Sequence, residues 1–167
     1  LTGMAAEGAG SGGGGREADV AALRSKGFQN GDRVVLYDGV CNMCNGWVNY
    51  VLARDKKAQF KFAALQGDSG RSLLRMMGRE EDDLSTLVLL ESDQTVHIRS
   101  EAVLRVVSAC GGVVGKCADV IRTVVPRGVR DWVYSEVVAP NRYRIFGTTT
   151  PDKCRRITPA IRARFLD

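Results

Sequence analysis

The chain has 167 residues, 44% of them hydrophobic and 26% charged, with a formal net charge of +5. That balance excludes a disordered or fibrous chain and leaves room for one globular domain of ordinary size and a tail. No apolar run approaches the roughly 20 residues of a membrane-spanning helix, so no transmembrane segment is expected. The positive excess suits an acidic partner such as nucleic acid or an anionic membrane surface. It is spread along the chain, however, and a solvated basic surface is the favoured reading.

In chain order, Leu1–Gly15 is rich in Gly and Ala and closes on a four-glycine run, the composition of a flexible tail. Arg16–Lys26 carries a short helical pattern through Val20 and Leu23, and Gly27 and Asn30-Gly31-Asp32 make a turn. Val34–Tyr37 is a short apolar run of the kind a buried strand shows, and it stops at Asp38-Gly39, a turn signal. Cys41 and Cys44 come next, two residues apart, and then a helical pattern through Trp47, Val48, Val51 and Leu52 to about Arg54. Two thiols therefore fall where a strand becomes a helix. The unpaired N–H groups of a first helical turn carry partial positive charge and favour a thiolate. A Cys-x-x-Cys pair at that place can have one activated thiol and a second within reach to close a disulfide.

Phe60–Leu65 is predicted as a second strand, Gly67–Gly78 as a helix with Leu73, Leu74 and Met77 on one face, and Thr86–Leu90 as a third, central strand. Glu91–Gln94 is a hairpin turn, Thr95–Arg99 an edge-like fourth strand, and Ser100 the N-cap of a helix running to Gly111-Gly112. The order βαβαββα is that of a thioredoxin-like α/β core. Beyond it, Gly115–Gly147 is largely helical, with Pro126 starting one helix and Pro140-Asn141 breaking it. Trp132, Tyr134, Tyr143 and Phe146 are expected to pin these helices onto the core. The tail from Thr148 holds Cys154 and ends in a helix-like stretch, Pro159–Leu166. The expected division is a tail and short helix over 1–30, the core over 31–112, and a helical extension packed on the core over 113–167.

Five cysteines, an odd number, do not suit a secreted disulfide scaffold; a reducing or regulated compartment fits better. The chain opens on Leu1 with no signal-peptide pattern. The expected locations are an organelle interior, with the mitochondrial matrix ahead of the plastid stroma, or alternatively the cytoplasm.

The sequence resembles the DCC family of thiol-disulfide oxidoreductases, named for an Asp and two Cys. These correspond to Asp38, Cys41 and Cys44 in YDGVCNMC. NGWVNYVLARD, FKFAALQ, IRSEAVLRVV, PRGVRDWVY, NRYRIFG and DKCRRITP also match the family's pattern, so the resemblance covers about Val34 to Asp167. It implies a thioredoxin-like fold and a redox role.

In that role Cys41 is the attacking thiolate, Cys44 the resolving thiol, and a protein dithiol or disulfide the partner. Asp38 is either a proton acceptor for Cys44 or a turn-holding acceptor of backbone N–H groups. Asn42 and Met43, between the thiols, carry no positive charge, so only the helix terminus is expected to activate Cys41. Thioredoxin-like enzymes usually place a Pro before the third strand, facing the disulfide; Leu84-Ser85-Thr86 has none. No cofactor and no metal is expected. A zinc site built from Cys41, Cys44, Cys110 and Cys117 is a minor alternative, and the single His97 reads as an ordinary strand residue. Basic charge and the missing Pro leave a second function class open. This is a non-catalytic, thioredoxin-like accessory subunit of a large organellar complex, a ribosome or a respiratory assembly. Nucleic-acid binding through the aromatic-basic segments is possible but not favoured.

Overall fold

The computed structural model describes residues 13–81, 83–148 and 158–167. Four strands form one sheet in the order β2-β1-β3-β4. They are β1 (Arg33–Tyr37), β2 (Phe60–Ala64), β3 (Val88–Leu90) and β4 (Val96–Ile98). β1 runs parallel to β2 and antiparallel to β3, and β3 pairs antiparallel with β4. This is the thioredoxin-like arrangement, with the third strand inside and the fourth at an edge. The helix joining β1 to β2 is α2 (Asn42–Arg54); α3 (Asp68–Met76) precedes the hairpin and α4 (Arg99–Ala109) comes after it.

Both faces of the sheet are covered, which is why β1 reads as continuous apolar sequence rather than alternation. Successive side chains of a strand point to opposite faces. Val34, Leu36, Ala63, Val88 and Leu90 accordingly pack with Leu23, Phe28, Leu73, Leu74 and Leu166 on one side. Val35, Tyr37, Phe60, Phe62 and Leu89 pack with Val48, Val51, Ala102 and Val106 on the other. Each Val, Leu or Phe side chain among them, taken out of water, contributes roughly 1.5–3 kcal/mol. α1 (Gly13–Ser25) includes the last three residues of the glycine run and sends Leu23 into the first cluster. The chain's end covers the β2 edge: Phe62 N–H donates to Arg164 O at 2.8 Å and Leu166 N–H to Phe62 O at 3.0 Å.

The extension comprises α5 (Gly112–Val124), α6 (Arg127–Val133), a π-helical turn (Tyr134–Val138), α7 (Ala139–Phe146) and, near the end, α8 (Pro159–Arg162). α5 lies close on α4 because it turns small residues to it; a Cβ on Gly115 would sit 3.0 Å from Ser108 O.

Several expectations are corrected. Pro140-Asn141 does not break the helix: Pro140 stands in the first turn of α7, directly after the π-helical turn, where its missing N–H is tolerated. Asn141 Nδ2 donates to Val137 O at 2.8 Å instead of ending the helical course. Ser100 is not the N-cap of α4. That position is Ile98, and the Ser100 hydroxyl donates to Asp131 Oδ1 at 2.5 Å, tying α4 to α6. Trp132 and Phe146 do not pin the extension, being 62% and 52% exposed. The tyrosines anchor it through their hydroxyls: Tyr134 accepts the Leu87 N–H at 3.2 Å, and Tyr143 bonds to Asp38. Most of the Gly-rich segment, and Cys154, lie outside the described residues.

Candidate active site

The site is built where β1 gives way to α2. Asp38 is buried, and its Oδ1 accepts the Val40 N–H at 3.1 Å, which closes a tight Asx turn. Gln66, just beyond β2, locks the same loop: its Nε2 donates to Asp38 Oδ1 at 2.6 Å and its Oε1 accepts the Gly39 N–H at 2.9 Å. Gly39 packs tightly there, since a Cβ would sit 3.2 Å from both Ala64 Cβ and Gln66 Oε1 and would press on them. From α2, Asn45 Nδ2 donates to Gly39 O at 2.7 Å and to Cys41 O at 3.0 Å.

Cys41 is the N-cap of α2, in extended conformation and fully buried; its Sγ accepts the Cys44 N–H at 3.4 Å. A sulfur thus takes the place that a Ser or Asp oxygen fills in an ordinary cap. Cys44, one turn on, is half-buried, and both thiols are free. Burial, the neighbouring Cys41 sulfur and the Asp38 charge push the Cys44 thiol up to about 12, with Arg142 opposing them. Cys44 therefore stays protonated at neutral pH. Asp38, Cys41 and Cys44 lie together at this turn.

Two groups unforeseen in the sequence complete the site, both from α7. Arg142, 6% exposed, sets Nη2 3.4 Å from Asp38 Oδ2 in a buried ion pair. Its other bonds run to Leu84 O at 2.9 Å, Ser85 O at 3.4 Å and the Tyr143 hydroxyl at 3.2 Å. The Tyr143 hydroxyl in turn donates to Asp38 Oδ2. Burial and the facing Asp38 carboxylate hold Tyr143 up at about 12. The helix terminus is thus not the only positive charge at the dithiol. The loop that lacks a Pro is held by a guanidinium on its carbonyls. The signal for both residues lay in NRYRIFG, a stretch that matched the family's pattern without suggesting a role.

The end of α7 also crosses Cys41. Asn42 N–H donates to Gly147 O at 3.3 Å, Asn42 Nδ2 donates to Phe146 O at 2.9 Å, and Cys41 pairs with Thr148 in an isolated antiparallel bridge. Among the described residues no group of three His, Cys, Asp or Glu side chains is placed to hold a metal ion, so the two cysteine pairs are not brought together. Cys117 is exposed on α5, and Cys110 is half-buried beside the second cluster, its thiol raised by burial. His97 lies on β4, its ring held more neutral than usual by burial and by Arg105.

The fold and the paired thiols at its first helix define a thioredoxin-like protein with a dithiol site. The family model for DCC1-like thiol-disulfide oxidoreductases matches residues 35–148, and the chain belongs to that family. It is 41% identical over 121 residues to a DCC family protein of Arabidopsis thaliana described as chloroplastic, covering 72% of this chain and 67% of the relative. It is 38% identical over 135 residues to the uncharacterized protein YuxK of Bacillus subtilis, covering 81% of this chain and 94% of the relative. No solved structure matches the chain significantly. Among the described residues no helix is long and apolar enough to cross a membrane.

Proposed function

We propose that the protein is a thiol-disulfide oxidoreductase in which Cys41 is the nucleophile, Cys44 the resolving thiol and Asp38 the proton acceptor. The observation that carries this is the Cys41 sulfur at the N-terminus of α2, bonded to the Cys44 N–H, with the Asp38 carboxylate buried beside the pair. Family membership supports a redox role in general.

The Cys41 thiolate attacks one sulfur of a partner protein's disulfide. The partner's S–S bond breaks, its departing sulfur takes up a proton from water, and a mixed disulfide forms. Cys44 then gives its proton to Asp38 and attacks the Cys41 sulfur, releasing the second partner sulfur, which takes that proton from Asp38. Two electrons pass from the dithiol to the partner, with one proton from Cys44 and one from water, and a second dithiol restores the reduced pair by the reverse exchange. A resolving thiol held protonated at neutral pH requires a base, which supports Asp38 in that role. Because Cys41 is buried beneath Phe146–Thr148, the first attack requires this segment to part from Asn42.

Cys44→Ser incubated with an oxidised protein substrate accumulates the mixed disulfide at Cys41, read by mass spectrometry. Cys41→Ser forms none. Equal trapping by both variants, or by neither, sinks the assignment.

One observation favours a second reading, a subunit of a larger assembly. Val113, Val120, Val124, Trp132 and Ile145, all in the helical extension, are exposed. Such side chains mark a surface that another molecule covers where they lie together as one patch. Size-exclusion chromatography of the native protein tests it; a free monomer at native abundance removes it. For location, the relative described as chloroplastic favours a plastid over the mitochondrial matrix, and the bacterial relative keeps a cytoplasmic site open.

A further inference from the structure

We propose that Arg142, delivered by the C-terminal extension rather than by the cysteine motif, is the positioning residue that supplies the dithiol's counter-charge and fixes the loop beside it. The inference rests on the oxidoreductase reading above.

Four observations carry it. The guanidinium is buried and ion-paired with Asp38, the motif's own carboxylate, at 3.4 Å. Its Nη atoms hold the carbonyls of Leu84 and Ser85, so one side chain ties α7, the motif loop and the approach to β3. Its Nε–H is buried and finds no acceptor among the described residues. A buried donor without a partner is uncommon and calls for a reason; a sulfur that becomes anionic during exchange gives one. Finally, Arg142 is the group that opposes the upward push on Cys44.

The charged groups that act on Cys44 are Asp38 from the β1–α2 loop and Arg142 from α7, with the Tyr143 hydroxyl bonded to both. Tyr143 is neutral at physiological pH, so the anion and the cation face the thiols as a pair. During exchange a sulfur turns anionic, and the guanidinium balances Asp38 and the transient thiolate together. Wherever the reduced pair carries a thiolate, a cation there favours it over the disulfide, because the disulfide has no charge to stabilise.

The test is the redox equilibrium of the full chain against glutathione at about pH 9.5, above the roughly 8.5 at which a free cysteine ionises, in which two glutathione thiols reduce the Cys41–Cys44 disulfide and leave as oxidised glutathione. The oxidised fraction is read by alkylation and mass spectrometry. Arg142→Gln shifts the equilibrium about tenfold toward the disulfide, equivalent to about 30 mV for a two-electron couple. Arg142→Lys, which keeps the charge but not the fork on Leu84 and Ser85, stays within about threefold of the parent. A residue that only holds the fold lowers the melting temperature without moving this equilibrium, so an Arg142→Gln value within twofold of the parent overturns the proposal. Should Arg142→Gln not fold, the comparison moves to Asp38→Asn against Asp38→Asn/Arg142→Gln, where no buried carboxylate is left unpaired; equal equilibria there overturn it as well. Failure of the oxidoreductase reading looks different: the parent forms no Cys41–Cys44 disulfide at any glutathione ratio, and the role of Arg142 falls with it.

Discussion

Replacing Asp38 by Ala tests the buried network at its centre. Four groups converge on this carboxylate: the Val40 N–H, Gln66 Nε2, the Tyr143 hydroxyl and the Arg142 guanidinium. At 3.4 Å and an effective dielectric of 20, the attraction between the two charges is about 5 kcal/mol, before desolvation is counted. Both ions are withdrawn from water, so much of that gain only offsets the cost of burying them. Removing one partner is another matter, because Arg142 stays buried with its charge uncompensated. The expected loss is about 3–5 kcal/mol, which in a chain of this size lowers the melting temperature by roughly 6–20 °C. Asp38→Asn keeps the acceptor for Val40 and Gln66 and should cost less. The assay is guanidinium chloride unfolding of the reduced protein, with Arg142→Met and the double variant completing a cycle. A coupling energy below about 0.5 kcal/mol, or an Asp38→Ala loss below about 1 kcal/mol, would show that the pair is not coupled as the geometry requires.

Other parts of the molecule give further expected outcomes. Gly70→Ala puts a Cβ 2.0 Å from the Ala64 carbonyl oxygen, so α3 must shift off β2; a loss of at least about 2 kcal/mol should appear in thermal unfolding. Glu101→Gln removes the carboxylate that Arg105, Arg122 and Arg130 share, leaving the buried Arg130 unpaired, and should cost about 3 kcal/mol by urea denaturation. Stability should fall as pH rises through the window from about 9 to 12. Cys44 and Tyr143 hold their protons more tightly in the folded chain than in the unfolded one, so the unfolded chain releases them first and is increasingly favoured. Tyr143→Phe should flatten the upper part of that fall in unfolding curves taken from about pH 8 to 12. Trp132→Ser, at an exposed position, should change the unfolding free energy by less than about 0.5 kcal/mol.

The sheet and the dithiol were legible because both are local. β1 is an apolar run ended by Asp-Gly, and the cysteines declare themselves by spacing. The hairpin at Glu91–Gln94 likewise carries its own turn chemistry. The parts that were not legible depend on distance in sequence. Arg142 is far along the chain from Asp38, in a helix whose spacing gives it no distinction from Arg127 or Arg144. Trp132 and Phe146 were misplaced for a related reason: apolar residues at helical intervals look the same whether they meet the core or water. Gln66 was within the motif's neighbourhood in space, yet nothing in its own segment ties it to the turn it locks.

The π-helical turn at Tyr134–Val138 bears on heredity as much as on geometry. Such a turn holds one residue more than an α-helix of the same length would, and each residue advances the remainder of the helix by about 100° of rotation. A single-codon deletion within it would remove that spare residue and let α6 and α7 run on as ordinary helix, with the arginine still facing Asp38. A deletion between the turn and residue 142, where no residue is spare, would instead swing the guanidinium about 100° around the axis and off Asp38, although no residue at the dithiol had been substituted. Two gaps that an alignment records a few positions apart would therefore differ in kind: one is absorbed by the helix, and the other takes the arginine away from Asp38.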